Sequence, residues 1–295
     1  MTRIALLFVL MNMPFLAACS EQRAGQNRAA LAQPNDTQPK ETPVATDDAL
    51  KKAKAAINAA RKNGETELQL GGLEWDIPLI PDQIETLDKL ETLTIHARLL
   101  TDLSPLAKLP QLRSLAISSV RDVDLSPLGQ LGELRELEIT GDGVQDLKFL
   151  AKLTKLESLH VQGPLKDWKA LSTLTQLKRL DVQSDYQKDL TPLSKLTHLE
   201  HFSLTDGLVT DLKPLSGLKH LRDVEFFWGS VDDIRPLAKL KQLERLKLYA
   251  TYEVTDLSPL YGLTRLKQVE LSDCTGLTKR EVRKLRKALP DCEVK

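Results

Sequence analysis

Apolar residues in this chain return on a fixed frame. Leu106, Leu109 and Leu112 stand three apart, Leu115 follows at the same interval, and Ile117 closes the run two residues later. TDLSPLAKLPQLRSLAIS, beginning at Thr101, comes back as VDLSPLGQLGELRELEIT at Val123, and later as TDLKPLSGLKHLRDVEFF and TDLSPLYGLTRLKQVELS. Aspartates Asp102, Asp124, Asp146, Asp167, Asp189, Asp211, Asp233 and Asp256 mark eight copies at spacings of 21 to 23 residues. A less regular copy precedes them at Ile84, Leu87, Leu90, Leu93 and Ile95. The spacing of three predicts a tight 3-10-like or irregular segment, because three residues per turn bring every third side chain to one side. The final spacing of two predicts a strand. No single copy can bury its own leucines, so the copies are expected to stack around one shared core. Ser104-Pro105, Ser126-Pro127, Thr191-Pro192 and Ser258-Pro259 place a capping hydroxyl and then a proline where each short helical turn begins.

These residues resemble leucine-rich repeats, most of all the internalin-like 22-residue subfamily with its D-I/L-x-P-L turn. The resemblance covers roughly residues 80–277. It implies an α/β repeat solenoid: a curved right-handed coil with a parallel concave β-sheet and short 3-10 or irregular convex segments. The chain departs from the family in one place. Where asparagine usually stands, three residues after the second strand position, it has Val120, Asp142, Pro164, Asp185, Gly207, Gly229, Thr251 and Cys274.

Bare solenoid ends fray, so caps are expected at both. The segment 47–79 is expected to supply a helix with Leu50, Ala53, Ile57 and Ala60 on one face, ended by Asn63-Gly64, and then a strand over ETELQL at 65–70. At the far end, residues 278–295 carry a capping box of Thr278 and Glu281 before Val282, Leu285 and Leu289, then a short strand at 292–294.

Outside the repeats the character changes. The opening MTRIALLFVLMNMPFLAACS has one arginine, a short apolar run and small residues ending at Cys19, the plan of a signal peptide over residues 1–18. Leu16-Ala17-Ala18-Cys19 resembles the lipobox of bacterial lipoproteins, which implies cleavage before Cys19 and acylation of its sulfur and amino group. Each buried CH₂ of such chains contributes about 0.8 kcal/mol, so several chains make a lasting membrane anchor. Ser20 resembles the outer-membrane-sorted class of Gram-negative lipoproteins, so a bacterial cell envelope is the expected location, outer membrane before inner. Residues 19–46 are poor in large apolar groups and are expected to form a disordered tether spanning on the order of 30 Å.

Residues flanking the two strand apolar positions point to the concave surface. In the middle copies these are Glu136/Glu138/Thr140, Ser158/His160/Gln162, Arg179/Asp181/Gln183 and His201/Ser203/Thr205; the earlier trio Ser114/Ala116/Ser118 reads as plain surface. The same register divides VEFFWGS, three aromatics in a row in a chain with 4% aromatic residues. Phe226 aligns with Ile117 and belongs to the core, Phe227 points out, and Trp228 sits at the lip of the next turn. One strand along, Tyr249 shares the column of Phe227, and Tyr252 lies on the adjoining lip. Asp223 faces Arg245 and Glu225 faces Lys247, so these charges satisfy one another. The aromatic group is left as the expected anchor for a protein partner, with the charged pairs as its rim.

Other chemistry is sparse. No G-x-S-x-G, H-E-x-x-H, P-loop or G-x-G-x-x-G occurs, so neither an enzyme nor a cofactor is expected. His198 and His201 lie close in sequence, but the frame puts His198 in the convex connection and His201 on the concave face, with His160 two strands away; Asp142 and Asp146 are too few for a calcium loop, and no metal is expected. Lys279, Arg280, Arg283, Lys284, Arg286 and Lys287 in the last helix, and Lys51, Lys52, Lys54, Arg61 and Lys62 in the first, read as solvated faces; the alternative is a grip on glycan or lipid headgroups. A formal net charge of +0 argues against nucleic acid. Cys274 and Cys292 are offset by several strand residues, which favours two buried thiols over a bridge.

Overall fold

In each repeat the leucines bond to one another through their backbones. Leu106 N donates to Leu103 O, Leu109 N to Leu106 O and Leu112 N to Leu109 O, each at 3.0 Å. These i to i−3 bonds are the 3-10 pattern that a spacing of three demands. A computed structural model describes residues 44–72, 76–96, 98–184, 188–228 and 230–295. Cys19 and the leader, and nearly all of the tether, lie outside the described residues.

Each 3-10 turn hands the chain to a five-residue strand. The strands are β1 (Glu67–Gly71), β2 (Thr92–His96), β3 (Ser114–Ser118), β4 (Glu136–Thr140), β5 (Ser158–Gln162) and β6 (Arg179–Gln183), followed by β7 (His201–Thr205), β8 (Asp223–Phe227), β9 (Arg245–Tyr249), β10 (Gln268–Ser272) and the two-residue β11 (Glu293–Val294). They form one parallel sheet in strict sequence order, open at both ends. The molecule is therefore a curved leucine-rich-repeat solenoid. Register is uniform, with Leu115 beside Leu93 and Leu137, and Ile117 beside Ile95 and Ile139.

The core is made of ladders running along the solenoid. Leu106, Leu128, Leu150, Leu171, Leu193, Leu215, Leu237 and Leu260 form one column, every member 0% exposed. Full burial of each such side chain stabilises the fold by roughly 1.5–3 kcal/mol. Trp168 replaces leucine in the neighbouring column and is equally buried. Phe202 and Phe226 occupy strand positions on β7 and β8 and meet edge to face, with centroids 6.0 Å apart and an interplanar angle of 81°.

The turns are capped differently from the sequence expectation. The hydroxyl of Ser104 is not the cap; it donates to Asp102 Oδ2 at 2.8 Å, while Asp102 Oδ1 accepts the Ser104 backbone N–H at 2.7 Å. All eight repeat aspartates accept the N–H of the residue two on in this way, at 2.7–2.8 Å. The periodic aspartate is thus the group that satisfies the start of each convex turn, and prolines follow it at Pro105, Pro127 and Pro192.

Both ends are covered. Helix α1 (Val44–Asn63) buries Ala49, Ala53, Ile57 and Ala60, with Ala49 in place of the expected Leu50, which stays partly exposed. Gly64, at φ +64°, ends it; Glu65 N bonds Ala60 O at 2.9 Å and Gly64 N bonds Arg61 O at 3.3 Å, the paired bonds of a Schellman stop. Helix α2 (Lys279–Ala288) opens at Thr278, whose side chain accepts from Glu281 N at 3.2 Å. The Glu281 carboxylate turns to Lys284 at 2.6 Å. Cys274 and Cys292 are free and buried. Cys274 Sγ lies 3.1 Å from Leu248 O and 3.2 Å from Thr251 Oγ1, which gives it hydrogen-bonding partners in the turn where the family carries asparagine.

Candidate partner-binding surface

The aromatic run divides as the register requires. Phe226 is 1% exposed, whereas Phe227 and Trp228 are partly exposed on the concave side and its lip. Phe227 pairs with Tyr249 across β8 and β9, the rings 6.1 Å apart and tilted by 39°. Trp228 meets the same tyrosine edge on at 5.4 Å and 85°. Tyr249 is thus gripped by two rings. Its phenol is also bound to the Asp273 carboxylate, which pushes its pKa above the ordinary tyrosine value. Tyr252 stands more than half exposed at 52%.

The flanking charges pair as expected. Arg245 forks onto Asp223 at 2.5 and 2.8 Å, and Lys247 Nζ lies 3.1 Å from Glu225. Such pairs, on strands in direct register, orient one another at little net gain in stability.

Two features of this surface were not legible in the frame. The first is backbone: the residue just after a strand takes a left-handed conformation at Ser119, Asp206, Trp228, Ala250 and Asp273, with φ between 52° and 64°. At Asp206, Trp228 and Ala250 its N–H extends the sheet ladder by one bond, as Trp228 N does to Tyr249 O at 2.9 Å. Aspartate tolerates that conformation far better than tryptophan, so Trp228 at φ 52° holds local strain at the patch. The second is Leu208, 41% exposed, three residues past the end of β7, as Tyr252 is past β9. It continues the apolar lip by one repeat, and an exposed leucine at that offset carries no periodic signal.

Towards the middle of the sheet the concave floor is polar. His201 Nε2 lies 2.9 Å from Asp181 Oδ1, and Arg179 reaches the same carboxylate at 2.7 and 3.1 Å. Burial opposes the charge on Asp181, but the His201 bond and the nearby cations outweigh it and hold its pKa below normal. His160 and His201 are two strands apart, as the register predicts, and Asp181 stands between their strands. His198 faces away and bonds Thr175 O at 2.9 Å, stacked on His220 at 6.3 Å. Among the described residues no three His, Cys, Asp or Glu side chains sit where they could hold a metal. The cleft of about 870 Å³ lined by Asp124, Asp142, Asp146 and Lys148 spends Asp124 and Asp146 on its own turns. On α2, Lys279, Arg280, Arg283 and Lys287 are exposed, and Arg286 donates to Val294 O at 2.8 Å.

No protein-family model matches the chain, and no curated protein sequence does. Solved structures do. An internalin from Listeria monocytogenes superposes with a TM-score of 0.56 at 22% identity, covering 84% of this chain and 87% of that one. Internalin C2 from the same organism gives 0.54 at 25%, covering 85% and 100%. A leucine-rich-repeat protein of Leptospira interrogans gives 0.64 at 20%, covering 75% of this chain and 58% of its own. The fold is that of the leucine-rich-repeat proteins.

Proposed function

We propose that this is a non-catalytic, lipid-anchored protein of a bacterial cell envelope, a scaffold or adhesin whose concave face binds a protein partner. The reading is supported first by the aromatic lip. Phe227, Trp228, Tyr249 and Tyr252 gather around the ends of β8 and β9, Tyr252 being 52% exposed and Leu208 continuing the lip at 41%. Large rings on a rigid sheet lose little entropy on docking, and the pairs Asp223–Arg245 and Glu225–Lys247 form a polar rim. Acylated Cys19, within the lipobox-like run, would hold the domain at the membrane, the outer one in a Gram-negative cell.

The test places a photo-crosslinking residue at position 227, and separately at Lys195 on the convex 3-10 turn Thr191–Lys195, in intact host cells. A discrete protein adduct from position 227 alone supports the aromatic anchor. Equal labelling, or none, sinks it and shifts attention to glycan or lipid headgroups at the basic caps. Incorporation of a palmitate analogue that vanishes in Cys19→Ala tests the anchor.

A further inference from the structure

We propose that Glu138, on the concave floor between Ala116 and His160, is a socket for a cationic side chain, lysine or arginine, presented by the protein partner. The inference rests on the concave face being the binding surface, but not on the aromatic lip, which begins four strands further along.

The argument is one of unequal satisfaction. The central column runs Glu138, His160, Asp181, Ser203, Glu225 and Lys247 across β4 to β9. Glu225 has Lys247, and Asp181 has His201 and Arg179. On the same strand as Glu138, Glu136 accepts the Ser114 hydroxyl at 3.2 Å. Glu138 alone among these carboxylates makes no hydrogen bond or ion pair with any described residue, although it is partly buried. A partly desolvated carboxylate without a donor carries a cost, and a ligand that brings one recovers it.

The neighbours select the sign of the ligand. From β3, Ala116 stands beside Glu138 with only a methyl, and Ser114 and Ser118 on the same face bring no charge. From β5 come Ser158, His160 and Gln162, and from β6 beyond it Asp181, whose negative charge repels an anion, and Arg179, which Asp181 already holds. Burial, reinforced by Asp181, raises the Glu138 pKa to about 7, and burial lowers that of His160. Above pH 7, then, Glu138 is charged and His160 neutral, and a cation is welcome. As pH falls, Glu138 is neutralised first and His160 then gains a proton, so both changes act against a cation.

The probe is N-acetyl-arginine amide, with the uncharged N-acetyl-citrulline amide as its control, titrated into the full chain. The readouts are the carbon-13 signal of the Glu138 carboxyl and the ring signals of His160. The expected result is a saturable shift at pH 8 with arginine only, about thirtyfold weaker at pH 5.5 as the ionised fraction falls. It should be absent in Glu138→Gln and retained when Phe227 and Tyr249 are both replaced by Ala. Should Glu138→Gln fail to fold, Ala116→Leu fills the adjoining space and is expected to block the shift instead. Equal shifts from both probes, no shift at pH 8, or a response that strengthens in acid would overturn the socket. No partner is needed, so failure here stays separate from failure of the crosslinking test.

Discussion

Phe226 and Phe227 are the same residue in adjacent positions, and the register gives them opposite roles. Phe226 is 1% exposed and rests edge on against Phe202 at 6.0 Å. Truncating it removes a whole ring from a close-packed layer that can collapse little, because the repeats on either side hold the strand spacing. Phe226→Ala is therefore expected to cost about 4 kcal/mol, of which roughly 1 kcal/mol is the lost edge contact. Phe227 is partly exposed, and its ring makes a tilted approach to Tyr249 at 6.1 Å. Its truncation is expected to cost about 1 kcal/mol or less. Urea unfolding of both variants, followed by circular dichroism, measures the difference as a shift in midpoint. The slope needs watching, since a weakened interface in a repeat array can split one transition into two. Equal destabilisation by the two variants, or a loss below about 1 kcal/mol for Phe226→Ala, would refute the division between core and concave face.

Trp228→Asn relieves a left-handed tryptophan, worth roughly 1 kcal/mol, and loses the edge contact on Tyr249, worth about as much. Its urea midpoint should stay within about 1 kcal/mol of the parent while crosslinking at position 227 falls; a loss above about 2 kcal/mol would mark the indole as core. Gly143→Ala would put a Cβ 1.1 Å from Arg121 O, so the backbone must move, and a loss above about 1 kcal/mol in the same assay is expected. The repeat aspartates have lowered pKa values at Asp124, Asp146, Asp189, Asp233 and Asp256, held down by hydrogen bonds from the residue two on. A depressed folded-state value means that the native turns bind fewer protons than the unfolded chain, so their contribution is complete above the unfolded value near 3.8 and is lost as pH falls through the folded ones. Urea midpoints measured downward from pH 5 should drop most steeply below about pH 4, and the drop should flatten in a variant with several of these aspartates changed to Asn.

Much of this protein was legible in the chain because a solenoid turns long-range contacts into a fixed sequence offset. Leu115 meets Leu93 and Leu137 because each is one repeat away, so the frame that names a core residue also names its neighbours. The 3-10 turns, the parallel sheet, the division of Phe226 from Phe227 and the pairing of Asp223 with Arg245 all follow from that offset. Where several groups can satisfy the same need, the frame gives no decision. At Ser104, Ser126 and Ser258 the start of the convex turn had both a serine hydroxyl and an aspartate within reach, and the aspartate takes the backbone N–H because its two oxygens can hold that donor and the hydroxyl together. On α1 the choice of Ala49 over Leu50 depends on how the helix rotates against the first repeat. The left-handed residue after each strand, and the strain it places on Trp228, come from turn geometry that no periodic apolar position encodes. The isolation of Glu138 was decided in the same way. Arg179, a cation two strands away, turns to Asp181 instead, a choice of side-chain direction made between strands and set by burial and hydrogen bonding in three dimensions.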